Sequence, residues 1–230
     1  NVTEARLAAE PGKGSFTVLI ASAASFDRKE DIIVSALDRL EAAAAKGFDG
    51  LLKTNKKWWH NFWAKAFVHL HSDDGVADYV EENYTYFLYL MASSSRGKFP
   101  PRFGGMIFST GGDFRHWGSQ HWYSNLSSYY RGLAATNRLE LMEPMFDMYT
   151  GMYASCAKAA RQQWGSKGIF IPETVFFDGL AELPEDIAAE MRELYLLRKP
   201  WSQRSERFRD YAFGKHPHHG RWNWKTSRYR

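Results

Sequence analysis

The segment from Phe99 to Tyr130 interleaves flat aromatic rings with hydrogen-bonding side chains. Nine of its 32 residues are aromatic, and five glycines and two adjacent prolines interrupt it. Planar apolar faces beside polar groups suit the binding of sugars, bases or peptides. Long loops rich in such residues usually carry function, so we expect a binding site here. The chemistry-bearing residues of the segment are Arg102, Asp113, Trp117, His121 and Asn125.

The spacing after Trp117 predicts a helix over residues 117–137 that carries part of this site. Trp117, His121 and Asn125 are four residues apart, so on a helix they would share one face. One aromatic ring followed by hydrogen-bonding groups is the combination that a sugar requires. Polar residues at a helix start can also align without any function. The spacing alone leaves both interpretations open.

The rest of the chain predicts a mainly helical scaffold with long loops. The apolar run at residues 15–25 reads as a strand, and short strand pieces are expected near 66–71 and 168–177. A helix from Asp31 should stop at Gly47. Further helices are predicted over residues 48–63, 76–91, 140–163, 184–198 and 205–215. We expect function where the long loops converge, at one end of these helices.

Composition argues against several classes of function. Lys and Arg total 30 against 26 for Asp and Glu, giving a formal charge of +4. This mild excess lies on no recognisable nucleic-acid motif, so no nucleic-acid partner is predicted. Cys156 is the only cysteine, and the histidines at 216, 218 and 219 have no acidic partners at ligand spacing, so no metal or cofactor is expected. No apolar run has the length of a membrane span.

Five stretches, in this order, carry a resemblance to a known family. They are "HNFW", "ENYTYFLYLMASSSRGKFPPRFGG", "DFRHWGSQHWYSNLSSYY", "NRLELMEPMFDMY" and "GIFIPE". Together they resemble the helical catalytic region of glycosidases similar to glycoside hydrolase family 95, the α-L-fucosidase and α-galactosidase group, and its bacterial relatives. The resemblance covers most of residues 15–175.

The resemblance implies an architecture and a compartment. Such enzymes have a β-sandwich, a helical linker and an (α/α)₆ barrel. Residues 1–26 would be the tail of the sandwich, 27–71 the linker, and 72–230 the first part of an incomplete barrel. We expect an excised or truncated piece of a periplasmic or secreted bacterial enzyme. An unclosed barrel should leave Met145, Met148 and Met152 exposed, and the isolated chain inactive and poorly soluble.

The resemblance also implies an inverting hydrolysis of a glycosidic bond, with carbohydrate as the partner. Glu173 falls where the family places its general acid, which protonates the leaving oxygen. Its apolar neighbours, such as Phe170 and Val175, would favour the protonated carboxyl that this role requires. A solvated loop glutamate is the alternative. Arg102, Asp113, Trp117, His121, Asn125 and Trp222 would line the substrate pocket.

Two departures from the family pattern concern specificity and catalysis. The fucosidases carry two asparagines in an Asn-x-Asn run where this chain has Asn125 alone, so the sugar is not specified. The family's catalytic base lies downstream of residue 230, and neither Asp113 nor Asp178 matches it. A non-catalytic carbohydrate-binding or helical scaffold module is therefore the second hypothesis. A nucleic-acid binder, based on the basic and aromatic C-terminal residues, is the third.

Overall fold

A computed structural model describes residue 8, residues 12–25, residue 27, and residues 29–101 and 121–213. The chain is mainly helical, with seven α-helices in these described parts. It divides into two compact units, Asn1–Lys65 and Ala66–Arg230.

The first unit is dominated by helix α1, Ile32–Lys65. The helix begins where the Asp31 carboxylate accepts hydrogen bonds from the backbone N–H groups of Ile33 and Val34, at 2.9 and 3.2 Å. An aspartate at this position supplies acceptors that the first turn of a helix lacks. Gly47 adopts φ 64° and ψ 171° and kinks the helix. The predicted break at Gly47 is therefore confirmed, in a conformation that favours glycine.

The predicted strand at residues 15–25 is wrong: this segment has no regular secondary structure. A strand requires a hydrogen-bonded neighbour, and among the described residues none pairs with it. The segment is instead attached to α1 by Arg39, whose guanidinium donates to the carbonyl of Ser22 at 2.8 Å. The strand piece expected near residues 66–71 is likewise absent, because those residues form an irregular connection.

The second unit contains the remaining helices. Its first helix, α2, spans Val76–Ser94 and confirms the helix predicted over 76–91. The long run predicted over 140–163 is helical but interrupted, with a 3₁₀ turn at Leu139–Leu141 and a π-helical turn at Ala160–Trp164. The other helices are α3 Tyr123–Tyr130, α4 Glu143–Gly151, α5 Tyr153–Ala159, α6 Glu185–Tyr195 and α7 Glu206–Phe213. Two short strands, β1 His121–Trp122 and β2 Thr174–Val175, pair antiparallel.

The core of the second unit forms where α4 and α5 pack against α6 and α7. Met148, Met152 and Cys156 are buried there, and Met145 is buried as well. The expectation that Met145, Met148 and Met152 would be exposed is therefore wrong. The chain folds α6 and α7 back over the methionine face and supplies the apolar partners itself. These partners include Ile187, Ala188, Met191, Leu194 and Phe208.

Helices α6 and α7 confirm two sequence predictions, and a polar cluster fixes the turn between them. Pro184 immediately precedes α6, where a proline fits a helix start. Glu190 accepts hydrogen bonds from the Lys199 ammonium at 2.9 Å and from the Ser205 backbone N–H at 2.7 Å. The Ser205 hydroxyl in turn accepts from the Phe208 N–H at 3.0 Å, as a helix cap. Burial opposes ionisation of Glu190, but these hydrogen bonds outweigh it and hold its pKa below the ordinary value.

Candidate functional site

The β1–β2 pairing brings His121 and Glu173 into one place. His121 pairs with Val175 and Trp122 with Thr174. The backbone N–H of Tyr123 donates to the Glu173 carbonyl at 3.2 Å, which continues the register by one residue. Residues 52 positions apart in the sequence therefore lie side by side. The pairing brings the backbones of His121 and Glu173 close together, while their predicted common pocket stays a prediction.

The register also determines which residues share a face of this small ribbon. Side chains alternate along a strand, so His121 and Val175 belong to one face and Trp122 and Thr174 to the other. Just beyond the strands, the backbone of Tyr123, the first residue of α3, meets the backbone of Glu173.

A hydrogen bond from the His121 ring anchors this side chain in the protein interior. It is buried, and its Nε2 lies 3.3 Å from the Pro100 carbonyl oxygen. A carbonyl can only accept, so this hydrogen bond requires the proton on Nε2. In the neutral ring Nδ1 then carries the lone pair, and Nδ1 is also shielded from solvent. The hydrogen bond to Pro100 therefore fixes the orientation of the His121 ring.

Glu173 lies on a loop that is attached to the helical core on both sides. On one side, the Phe170 N–H donates to the Cys156 carbonyl at 3.1 Å. On the other, the Gln162 amide donates to the Leu183 carbonyl at 3.0 Å and accepts from the Leu183 N–H at 3.1 Å. Glu173 itself is half-buried, with its Oε2 atom shielded from solvent. The loop thus holds Glu173 at a defined position while leaving the residue partly exposed.

Tyr123, whose backbone meets that of Glu173, belongs to an aromatic pair that was not predicted from the sequence. Tyr123 is 53% exposed, and its ring meets the Tyr149 ring edge to face, with centroids 5.5 Å apart and planes at 86°. Burial is the main cause that raises the pKa of Tyr149, and the nearby Tyr123 raises it further. The Tyr149 phenol therefore stays neutral. Tyr123 is therefore an exposed residue whose ring packs against the ring of Tyr149. The alternation from His121 to Tyr123 could have signalled it, had those residues been read as a strand.

A buried polar contact supports the far end of α3. The Ser95 hydroxyl donates to the Leu141 carbonyl at 2.9 Å, so the Tyr130 hydroxyl, 2.8 Å away, donates to Ser95. Burial raises the pKa of Tyr130 to about 12, partly offset by the hydrogen bond with Ser95. This contact ties α2 and α3 to the 3₁₀ turn before α4. Since α3 begins at Tyr123, it helps to fix the position of the aromatic pair.

Within the described residues, the helix predicted over residues 117–137 is shorter than predicted at both ends. His121 and Trp122 form a strand, α3 starts only at Tyr123, and residues 131–137 form turns. Pairing with Thr174 and Val175 overrides the local helical spacing, as tertiary context often does for aromatic and β-branched residues. Asn125 therefore shares no helical face with His121. The hydrogen bond shown for Asn125 is from the Ser128 hydroxyl to its backbone carbonyl, at 2.7 Å.

Four of the predicted pocket residues lie outside the described residues. They are Arg102, Asp113, Trp117 and Trp222. Their place in the pocket stays a prediction.

Cys156 is buried in the methionine core, and burial raises the pKa of its thiol, which fits a packing role better than a nucleophilic one.

In the described ranges no group of three or more His, Cys, Asp or Glu side chains could hold a metal ion. Among the helices of these same ranges, none is both long and apolar enough to cross a membrane. Comparison with known proteins finds no matching family model, no matching curated protein and no matching solved structure.

Proposed function

We propose that this chain is part of a glycoside hydrolase, with Glu173 as the general acid of an inverting reaction. The observation that carries the proposal is the face of the β1–β2 ribbon. There the backbone pairing brings the half-buried Glu173 next to Tyr123, whose exposed ring packs on Tyr149, and near the buried His121. The sequence resemblance to family 95 glycosidases supports the same role, and with it a helical-hairpin barrel as the complete domain.

The proposed division of labour follows from these neighbours. Tyr123 offers a flat apolar face to the C–H side of a sugar ring. Glu173, partly shielded from water, donates its proton to the leaving oxygen. His121, held by Pro100, fixes the space that the carboxyl can occupy. A second carboxylate must activate water from the opposite side of the sugar, at about 6.5–9.5 Å from Glu173. We assign no residue of this chain to that role.

The test is release of the aryl group from a panel of α- and β-glycosides by the full-length gene product. Replacing Glu173→Gln keeps the shape and removes the proton donor, so turnover should fall by about 10²–10⁴-fold. Glu185→Gln, at an exposed position in the first turn of α6, is the matched control and should leave turnover unchanged. For any active substrate, the anomer of the first-formed product should be inverted.

Two outcomes would contradict the proposal in different ways. Unchanged turnover in the Glu173→Gln variant would remove Glu173 from the mechanism. Oligosaccharide binding that Tyr123→Ala abolishes, with no hydrolysis of any glycoside, would favour the non-catalytic carbohydrate-binding module instead.

A further inference from the structure

The second half of α1 carries a basic groove that the proposed active site does not use. All of its lining residues lie on this one helix, so it is an open helix surface. Three lysines, a histidine and an asparagine line it, opposed by a single aspartate; these are Lys53, Lys56, Lys57, His60, Asn61 and Asp49. All six side chains are exposed. We call this surface the lysine groove.

Helical spacing explains why these residues share one face. Lys53, Lys56 or Lys57, and His60 follow one another at intervals of three or four residues, which places them in a row. Successive groups are about 4.5–6 Å apart along the axis. The row therefore presents positive charge over roughly two turns. Leu52, also in the lining, adds an apolar patch beside the lysine methylenes.

The opposite side of the same helix segment is aromatic and already packed. Trp58 stacks on Phe62 with centroids 5.4 Å apart, and Trp59 stacks on Trp63 at 6.2 Å. Phe62 is buried and the tryptophans are half-buried. A helix that inserts into a membrane surface needs its aromatic residues free for the lipid. Because these rings pack against one another, charge on the groove is the feature left to recognise a partner.

We propose that the lysine groove binds an acidic polysaccharide, one that carries carboxylate or sulfate groups along its chain. Lysine acts as a point charge without the fixed fork of arginine, so it suits anions spread along a flexible polymer. The Leu52 patch and the Asn61 amide suit the C–H faces and hydroxyls of the sugars between the charges. The choice of a glycan as the polymer rests on the proposed function.

The test measures the affinity of the chain for polygalacturonate and for dextran sulfate, with uncharged dextran as the neutral probe. The groove variant is Lys53→Gln/Lys56→Gln/Lys57→Gln. The matched control, Lys13→Gln/Lys29→Gln/Lys46→Gln, removes the same charge from exposed lysines of the same unit outside the groove. At about fivefold per lysine, the groove variant should bind about a hundredfold more weakly, while the control changes far less. Wild-type binding should also weaken as salt rises.

The two acidic polymers separate carboxylate from sulfate as the preferred group, and tighter binding of either supports the proposal. An equal loss of affinity in the control would overturn it, since non-specific attraction would then suffice. Tighter, groove-dependent binding of duplex DNA or of phosphatidylglycerol vesicles would overturn it in favour of that class. In the full-length gene product, the groove variant should hydrolyse small aryl glycosides like wild type. Groove-dependent polymer binding with a fully active Glu173→Gln variant would contradict the proposed function and leave this site standing.

Discussion

Helix α1 and the α4–α6 region have the same sequence pattern, with apolar residues at helical spacing. They differ in how far the apolar side chains are buried. Along α1, Ile33, Leu37 and Phe48 remain more than half exposed. In the second unit, Met152, Met191 and Leu194 are all but completely buried. The difference teaches that apolar periodicity predicts a helix, whereas burial requires a second element packed on the apolar face.

The largest expected effect comes from truncating the same residue type in the two regions. Leu194 is 0% exposed and Leu37 is 51% exposed. Leu194→Ala should lower the free energy of unfolding of the second unit by about 2–5 kcal/mol, since it leaves a cavity in the core. Leu37→Ala should change stability by about 0.5 kcal/mol or less. Urea unfolding of both variants checks this, and equal costs would break the comparison.

An intermediate effect is expected at the buried contact between Ser95 and Tyr130. Ser95→Ala leaves the Tyr130 hydroxyl and the Leu141 carbonyl without this partner, at a cost of about 1–3 kcal/mol. Tyr130→Phe should cost less, because the Ser95 hydroxyl keeps its bond to Leu141. The double variant tests the coupling, since the two costs should not add. Additive costs would show that the hydrogen bond is not what stabilises this end of α3.

The same contact predicts a dependence of stability on alkaline pH. The pKa of Tyr130 is raised to about 12 in the folded chain, against about 10 when unfolded. Because the folded-state pKa lies above the unfolded-state pKa, the group stabilises the fold at pH values below about 10. This contribution is lost as pH rises from 10 to about 12. Tyr149 and Tyr211, whose pKa values are also raised, contribute in the same direction. Tyr130→Phe should therefore lessen, and not abolish, the loss of stability above pH 10.

The smallest expected effect is a gain in stability at the end of α6. Leu197 adopts φ 58° and is 82% exposed, so its left-handed backbone is strained and its side chain contributes little burial. Leu197→Gly should stabilise the second unit by about 1 kcal/mol. Asn137→Gly, at φ 57°, is the comparison and should gain less, because asparagine tolerates this conformation. A shift in melting temperature measures both, and a loss of stability at residue 197 would contradict the strain argument.

The sequence predicted the candidate site in part. It paired His121 with Glu173, yet it placed His121 on a helix with Asn125 and did not select Tyr123. Local spacing favoured the helix because four-residue intervals occur by chance over so short a run. The pairing of residues 121–123 with 173–175 depends on a contact between distant segments, and no local pattern reports that contact.

What the sequence by itself determined are the elements whose signals are local. Asp31 starts α1, Gly47 kinks it, Pro184 precedes α6, and apolar spacing marks α2 and α7. Helical hydrogen bonds join residues four apart, so a short window of sequence contains all that they need. Only the tertiary structure decided that residues 15–25 form no strand, that Met148 and Met152 are buried, and that the backbone of Tyr123 pairs with that of Glu173. Each of these depends on whether a remote segment arrives as a partner, because ladders and cores are made between segments.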